Sequence, residues 1–211
     1  MPSPQSQALI EMYTQMAREG YQTVDQQAVS HAFNDMEIRK FRGHVQPLLS
    51  PPHIRSLLDY GCGGSDYERA GFDGTQSAKD FFGLQQVFRY EPARDIDERQ
   101  VCDAVVCFDV LEHIFISDVP SVLRELFSLT RHLLIINVAC YPARALLPNG
   151  ENAHITVRPS AWWKGMVDGI ALEYPNIAVQ LFCSKTYSEV EGWPLRRATD
   201  WANSTSFVTE A

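Results

Sequence analysis

Ser56-Leu57-Leu58-Asp59-Tyr60-Gly61-Cys62-Gly63-Gly64 is the stretch on which the fold turns. A short apolar run between Pro51-Pro52 and a glycine cluster reads as a strand buried in a sheet, not as a helix. Working outward, residues 86–90 read as a second strand ending at Glu91-Pro92. Residues 102–108 read as a third, with Asp103 near its start and Asp109 just past its end. An amphipathic helix follows at 119–129, a buried strand at 132–139, a helix at 159–172 and a late strand at 177–183. Residues 206–209 are expected to pair with that late strand. Such alternation predicts an α/β fold, a doubly wound and mostly parallel sheet with helices on both faces.

Upstream, Leu9, Ile10, Tyr13, Met16 and Ala17 recur at helical spacing and stop at Gly20. Val29, Ala32, Phe33, Met36, Phe41 and Val45 suggest a second helix ending before Pro51-Pro52. Residues 1–50 therefore read as a helical N-terminal cap, part of the same domain as residues 51–211. The segment 66–85 has weak periodicity, so the helix after the first strand is expected to be short or irregular.

Composition narrows the function. The 211 residues are 45% apolar and 11% aromatic, which fits a folded enzyme and excludes a disordered chain. No apolar run approaches the roughly 20 residues that span a bilayer, so no membrane partner is expected. Residues 1–7 are polar, unlike a secretory signal, and the chain reads as cytoplasmic. Five cysteines form no CxxC pair, which argues against a disulfide framework or a structural zinc site. Acidic side chains outnumber basic ones 26 to 18, a net charge of −8 that opposes nucleic-acid phosphates. The pattern leaves oligomeric state open.

In open parallel sheets, ligands bind outside the carboxyl ends of the strands. Asp59, Gly61, Gly63 and Gly64 fall at the first such end, where glycine lets backbone approach a ligand. Glu91 falls at the second, an acceptor suited to a ribose diol. Phe108 and Asp109 fall at the third, followed by Leu111, Glu112 and His113. A nicotinamide site would need a third glycine at GxGxxG spacing and an acid about 20 residues on, and neither is present.

Residues 57–63, the Tyr90-Glu91-Pro92 step and residues 107–114 resemble, in order and polarity, motifs of class I S-adenosylmethionine-dependent methyltransferases. The resemblance covers roughly residues 55–140 and implies a Rossmann-like domain. It also implies that Gly61, Cys62 and Gly63 line the methionine part of the cofactor. Glu91 would take the ribose hydroxyls, Phe108 and Asp109 would lie beside the methionyl amine or sulfonium, and Asp59 would orient the glycine loop. Ser65 stands where the family often has a further glycine. Residues 148–154 with Trp162-Trp163 are similar to a group of bacterial members, many without an assigned substrate.

The loop after the fifth strand should overhang the cleft and touch a small-molecule acceptor. His154, with His113, is the candidate general base, since neutral imidazole accepts a proton near pH 7. Arg144, Asn152 and Trp163 are the candidate acceptor contacts, by charge, hydrogen bonding and stacking. Asp109, Glu112 and His113 also stand at i, i+3 and i+4, with His154 above, an alternative set of divalent-metal ligands. That set is similar to the metal site of small-RNA 2′-O-methyltransferases. The expectation is nevertheless metal-free methylation of a small polar acceptor, on oxygen rather than nitrogen. The alternatives are a metal-dependent RNA 2′-O-methyltransferase or a non-catalytic cofactor-binding module.

Overall fold

The computed structural model describes residues 4–30, 33, 37–193 and 204–209. Its helices are α1 (Pro4–Glu19), α2 (Arg42–Leu49), α3 (Ala78–Phe81), α4 (Val119–Ser128) and α5 (Ser160–Ala171). Its strands begin with β1 (Tyr21–Thr23), β2 (Ala28–Val29), β3 (Ser56–Tyr60), β4 (Gln86–Glu91), β5 (Ile96–Asp97) and β6 (Cys102–Phe108). They continue with β7 (Thr130–Ala139), β8 (Ala145–Leu146), β9 (Ala178–Ser184), β10 (Glu189–Gly192) and β11 (Thr205–Val208).

Eight strands form one mixed sheet in the order β11-β10-β9-β7-β6-β3-β4-β5. The five from β9 to β4 are parallel, and the pairs at both edges are antiparallel. β3 sits between β4 and β6, so the chain winds outward one way and then returns to wind the other. That reversal opens a crevice at the carboxyl ends of β3 and β6.

Alternation along the strands splits the core into two layers. Leu58, Tyr60, Val105, Cys107, Leu134, Ile136 and Leu181 pack on one face against α4 and α5. Leu57, Ala104, Val106, Leu133, Ile135 and Phe182 pack on the other, against α2 and the Phe72–Phe82 region. All seven residues of β6 are buried, as a central parallel strand covered on both faces requires. α4 buries Val119, Leu123, Leu126 and Phe127, a single stripe at helical spacing. Among the described residues no helix is long and apolar enough to cross a membrane.

Three expectations change. The N-terminal cap is not wholly helical: α1 is followed by a β1–β2 hairpin that pairs with β8 as a separate three-stranded sheet. Val29 belongs to that hairpin, Ala32 and Met36 lie outside the described residues, and the next helical structure among the described residues is the 3-10 turn Glu37–Phe41. Finally, residues 206–208 do not pair with β9. β10 intervenes and takes β11 as its antiparallel neighbour, Val190 facing Phe207. The segment after β3 is indeed irregular, for α3 has only four residues.

Candidate ligand cleft at the carboxyl edge of the sheet

A cavity of about 1000 Å³ occupies the crevice, lined by Gly61, Gly63, Glu91, Phe108, Asp109 and His154 among others. Three strand ends thus supply one cleft. α1 roofs it with Leu9, Ile10 and Tyr13 and packs against the turn Pro92–Arg94 that follows β4.

The glycine loop is fastened to β4. Gly61 and Cys62 donate their backbone N–H to the Tyr90 carbonyl at 2.7 and 3.1 Å. Gly63 has φ +54, and a Cβ there would stand 2.7 Å from the Phe33 carbonyl oxygen, so only glycine fits. Its N–H donates to Glu91 Oε2 at 3.0 Å, and Ala93 N–H donates to Glu91 Oε1 at 3.0 Å. Each oxygen of Glu91 thus accepts one bond and can accept a second, and the residue lines the cavity. Asp59 is buried beneath the loop and accepts from the Tyr67 hydroxyl at 3.0 Å; burial raises its carboxyl to about 7. Cys62 is also buried, and its thiol is pushed up to about 12 for the same reason. Phe108 lines the cleft while packing edge-on against Phe41.

The opposite wall is a cluster of titratable groups. Asp109 ends β6 with φ +57, a left-handed conformation that a non-glycine residue holds only where its surroundings impose it. Its two carboxylate oxygens face the Nε2 atoms of His113 and His154, each at 3.9 Å. The Asp109 side chain keeps 37% of its surface free, opening into the walled cavity. It is therefore reachable yet electrostatically enclosed. Burial pushes its carboxyl up, but the two facing imidazoles, His113 foremost, hold it well below the usual range. Burial, then the charge of His113, lowers His154 to about 4, so its imidazole is neutral at physiological pH.

Both rings are anchored on the far side. His154 Nδ1 lies 2.6 Å from the Tyr141 carbonyl, and His113 Nδ1 lies 2.9 Å from the Ala153 carbonyl. A carbonyl only accepts, so each Nδ1 donates its hydrogen there, and the neutral ring of His154 presents a bare Nε2 lone pair to the cleft. The Tyr13 hydroxyl, 2.7 Å from His113 Nδ1, donates to the same Ala153 carbonyl at 2.8 Å.

Of the alternative metal ligands, Asp109, His113 and His154 come together, their donor atoms all within 4.8 Å of one another. Glu112 does not join them. It is fully buried, with Oε1 accepting the Ala139 N–H and Oε2 meeting no donor among the described residues. Burial, then the charge of Asp109, raises its carboxyl well above the usual range, so it holds its proton.

The acceptor contacts fare differently. Trp163 is not in the cleft: it is fully buried between α5 and the sheet, in the stripe Trp163, Val167, Ile170 and Ala171. Asn152 is spent on its own loop. It accepts from Ala143 N–H at 2.9 Å and His154 N–H at 3.0 Å, and donates to the Ala143 carbonyl at 2.8 Å. It therefore positions His154 instead of touching an acceptor. Arg144 reaches the rim, where it is exposed and pairs with Asp25 at 3.1 Å.

Sequence reasoning missed Tyr13, which looked like one more apolar position of a helix. It also missed the wall beyond β4. There the Tyr60 and Tyr90 rings lie 4.6 Å apart, and Arg99 sits 4.1 Å over Tyr90 while bonding Glu125 at 2.6 Å. No protein family, curated protein or solved structure matches the chain.

Proposed function

We propose that this Rossmann-like chain is a cytoplasmic S-adenosylmethionine-dependent methyltransferase acting on a small polar acceptor, on oxygen in preference to nitrogen. The observation that carries the reading is the convergence of Gly61–Gly63, Glu91 and Asp109 from three strand ends on one cavity at the reversal of strand order. The free lone pairs of Glu91 suit a ribose diol. The Tyr60, Tyr90 and Arg99 wall offers stacking surface to a flat base. Asp59, Glu91 and Asp109 place acidic groups around the cleft, which favours a cationic sulfonium.

The cofactor, when bound, supplies an already activated methyl group, so this chain needs mainly to position and to manage a proton. His154 and His113 turn their Nε2 atoms toward Asp109 at the acceptor end and, while no ion is bound, are the groups to deal with the acceptor's proton. α1 closes over this end, which favours a small molecule over a polymer, as does the net charge of −8. All five cysteines are free thiols, in keeping with a reducing compartment.

Equilibrium dialysis against methyl-labelled S-adenosylmethionine tests the reading. One equivalent should be retained, displaced by S-adenosylhomocysteine and not by NAD. Retention that NAD displaces equally well, or none at all, overturns it.

A further inference from the structure

We propose that Asp109, His113 and His154 bind a divalent first-row transition ion whose open coordination positions face the cavity, where an oxygen donor of the acceptor would complete them. The Asp109 carboxylate and the ring nitrogens of His113 and His154 converge here, one donor atom from each lying within 4.8 Å of the others. Each Nε2 looks at a different oxygen of the same carboxylate across 3.9 Å, beyond hydrogen-bond reach. The two rings stand nearly perpendicular, 83° apart with centroids at 4.7 Å. Ligand atoms around a cation with ~2.1 Å bonds sit ~3.4 Å apart in a tetrahedral arrangement. The donor atoms here lie within 4.8 Å of one another, so shifts of up to about an ångström per side chain close the site.

The surroundings match what metal-bound imidazoles need. Each Nδ1–H is spent on a backbone carbonyl, which fixes tautomer and ring plane. Tyr13 adds a second contact on His113, and Asn152 holds the backbone of His154. The left-handed backbone of Asp109 turns its carboxylate into the group. Two imidazoles and one carboxylate suit Mn²⁺, Fe²⁺ or Zn²⁺, whereas Mg²⁺ and Ca²⁺ prefer all-oxygen sets. Ion affinity is independent of cofactor binding. With the ion in place both Nε2 lone pairs are taken, so the ion replaces the imidazoles in handling the acceptor's proton, and that role alone rests on the methyl-transfer reading.

The test is calorimetric titration of chelator-treated protein with Zn²⁺ and, separately, Mn²⁺, with no nucleoside present. One equivalent should bind. Loss of an orienting partner costs roughly 10–100-fold in affinity, so Tyr13→Phe should weaken binding about tenfold and His113→Ala a hundredfold or more. Asp109→Asn, which keeps the shape and tolerates the same backbone, guards against a His113 variant that fails to fold. His53→Ala, at the far end of the sheet beside His132, should bind as wild type. No stoichiometric binding, or wild-type affinity in His113→Ala and Asp109→Asn, overturns the proposal. Cofactor retention in the same samples leaves the methyl-transfer reading standing.

Discussion

Gly61→Ala separates what the fold demands of the glycine loop from what a ligand would demand. Gly61 has φ +84, and a methyl there would stand 2.2 Å from Val110 Cγ2 and 3.4 Å from its Cβ and Cγ1. The left-handed backbone alone costs an alanine about 1–2 kcal/mol. The contact adds about 1–3 kcal/mol, because a β-branched neighbour has few rotamers to retreat into. Gly61→Ala should therefore lose about 2–5 kcal/mol in urea unfolding, with Tm down by roughly 4–20 °C at ~2–4 °C per kcal/mol. Val110→Ala removes the offending methyl groups. The double variant should then be about 1–3 kcal/mol more stable than the sum of the two single effects predicts. The backbone part should remain. Strict additivity, with Tm falling by the two separate losses, would refute the contact argument.

Two further outcomes follow from the fold. Asp103 accepts from Arg55 N–H and Ser56 N–H at 3.0 Å each, and pairs with Arg131, tying the start of β6 to that of β3. Although burial opposes it, these bonds lower its carboxyl from 3.8 to about 2. A depressed acid stabilises the fold above its unfolded pKa and loses that contribution as pH falls through the folded value. About 2 kcal/mol should thus vanish between roughly pH 4 and 2, and Asp103→Asn should flatten that limb in acid titrations of stability. Trp163→Ala should cost about 3–5 kcal/mol in urea unfolding while leaving cofactor affinity unchanged. An affinity loss without a stability loss would return Trp163 to the cleft.

The sheet was legible because buried parallel strands write themselves as short apolar runs. β6, buried at every position, was read with its observed bounds. The cleft residues Asp59, Gly61, Gly63, Glu91 and Asp109 were legible because each stands just where such a run stops. What escaped has physical causes. β10 is a four-residue strand, second from the sheet's edge and carrying two glutamates, so neither length nor hydropathy marks it. Tyr13 meets His113 across 100 residues of sequence, a contact no local period encodes. Trp162 and Trp163 are adjacent in a helix, and only packing decides which faces inward; here it is Trp163, with Trp162 partly covered beside it. Asn152 and Glu112 carry polar groups that backbone N–H groups consume, and sequence does not say where those N–H groups point.

The central claim is that Glu91 and its neighbours bind the adenosyl cofactor, and one calorimetric comparison addresses it directly. S-adenosylhomocysteine is titrated into the wild-type chain and into Glu91→Gln, which keeps an acceptor for the Gly63 N–H but loses the charge. The account predicts a single site in the wild type and a loss of about 1.5–3 kcal/mol in the variant, roughly 10–150-fold in Kd. Absence of binding to the wild-type chain would contradict it, and unchanged affinity in Glu91→Gln would contradict the role given to Glu91.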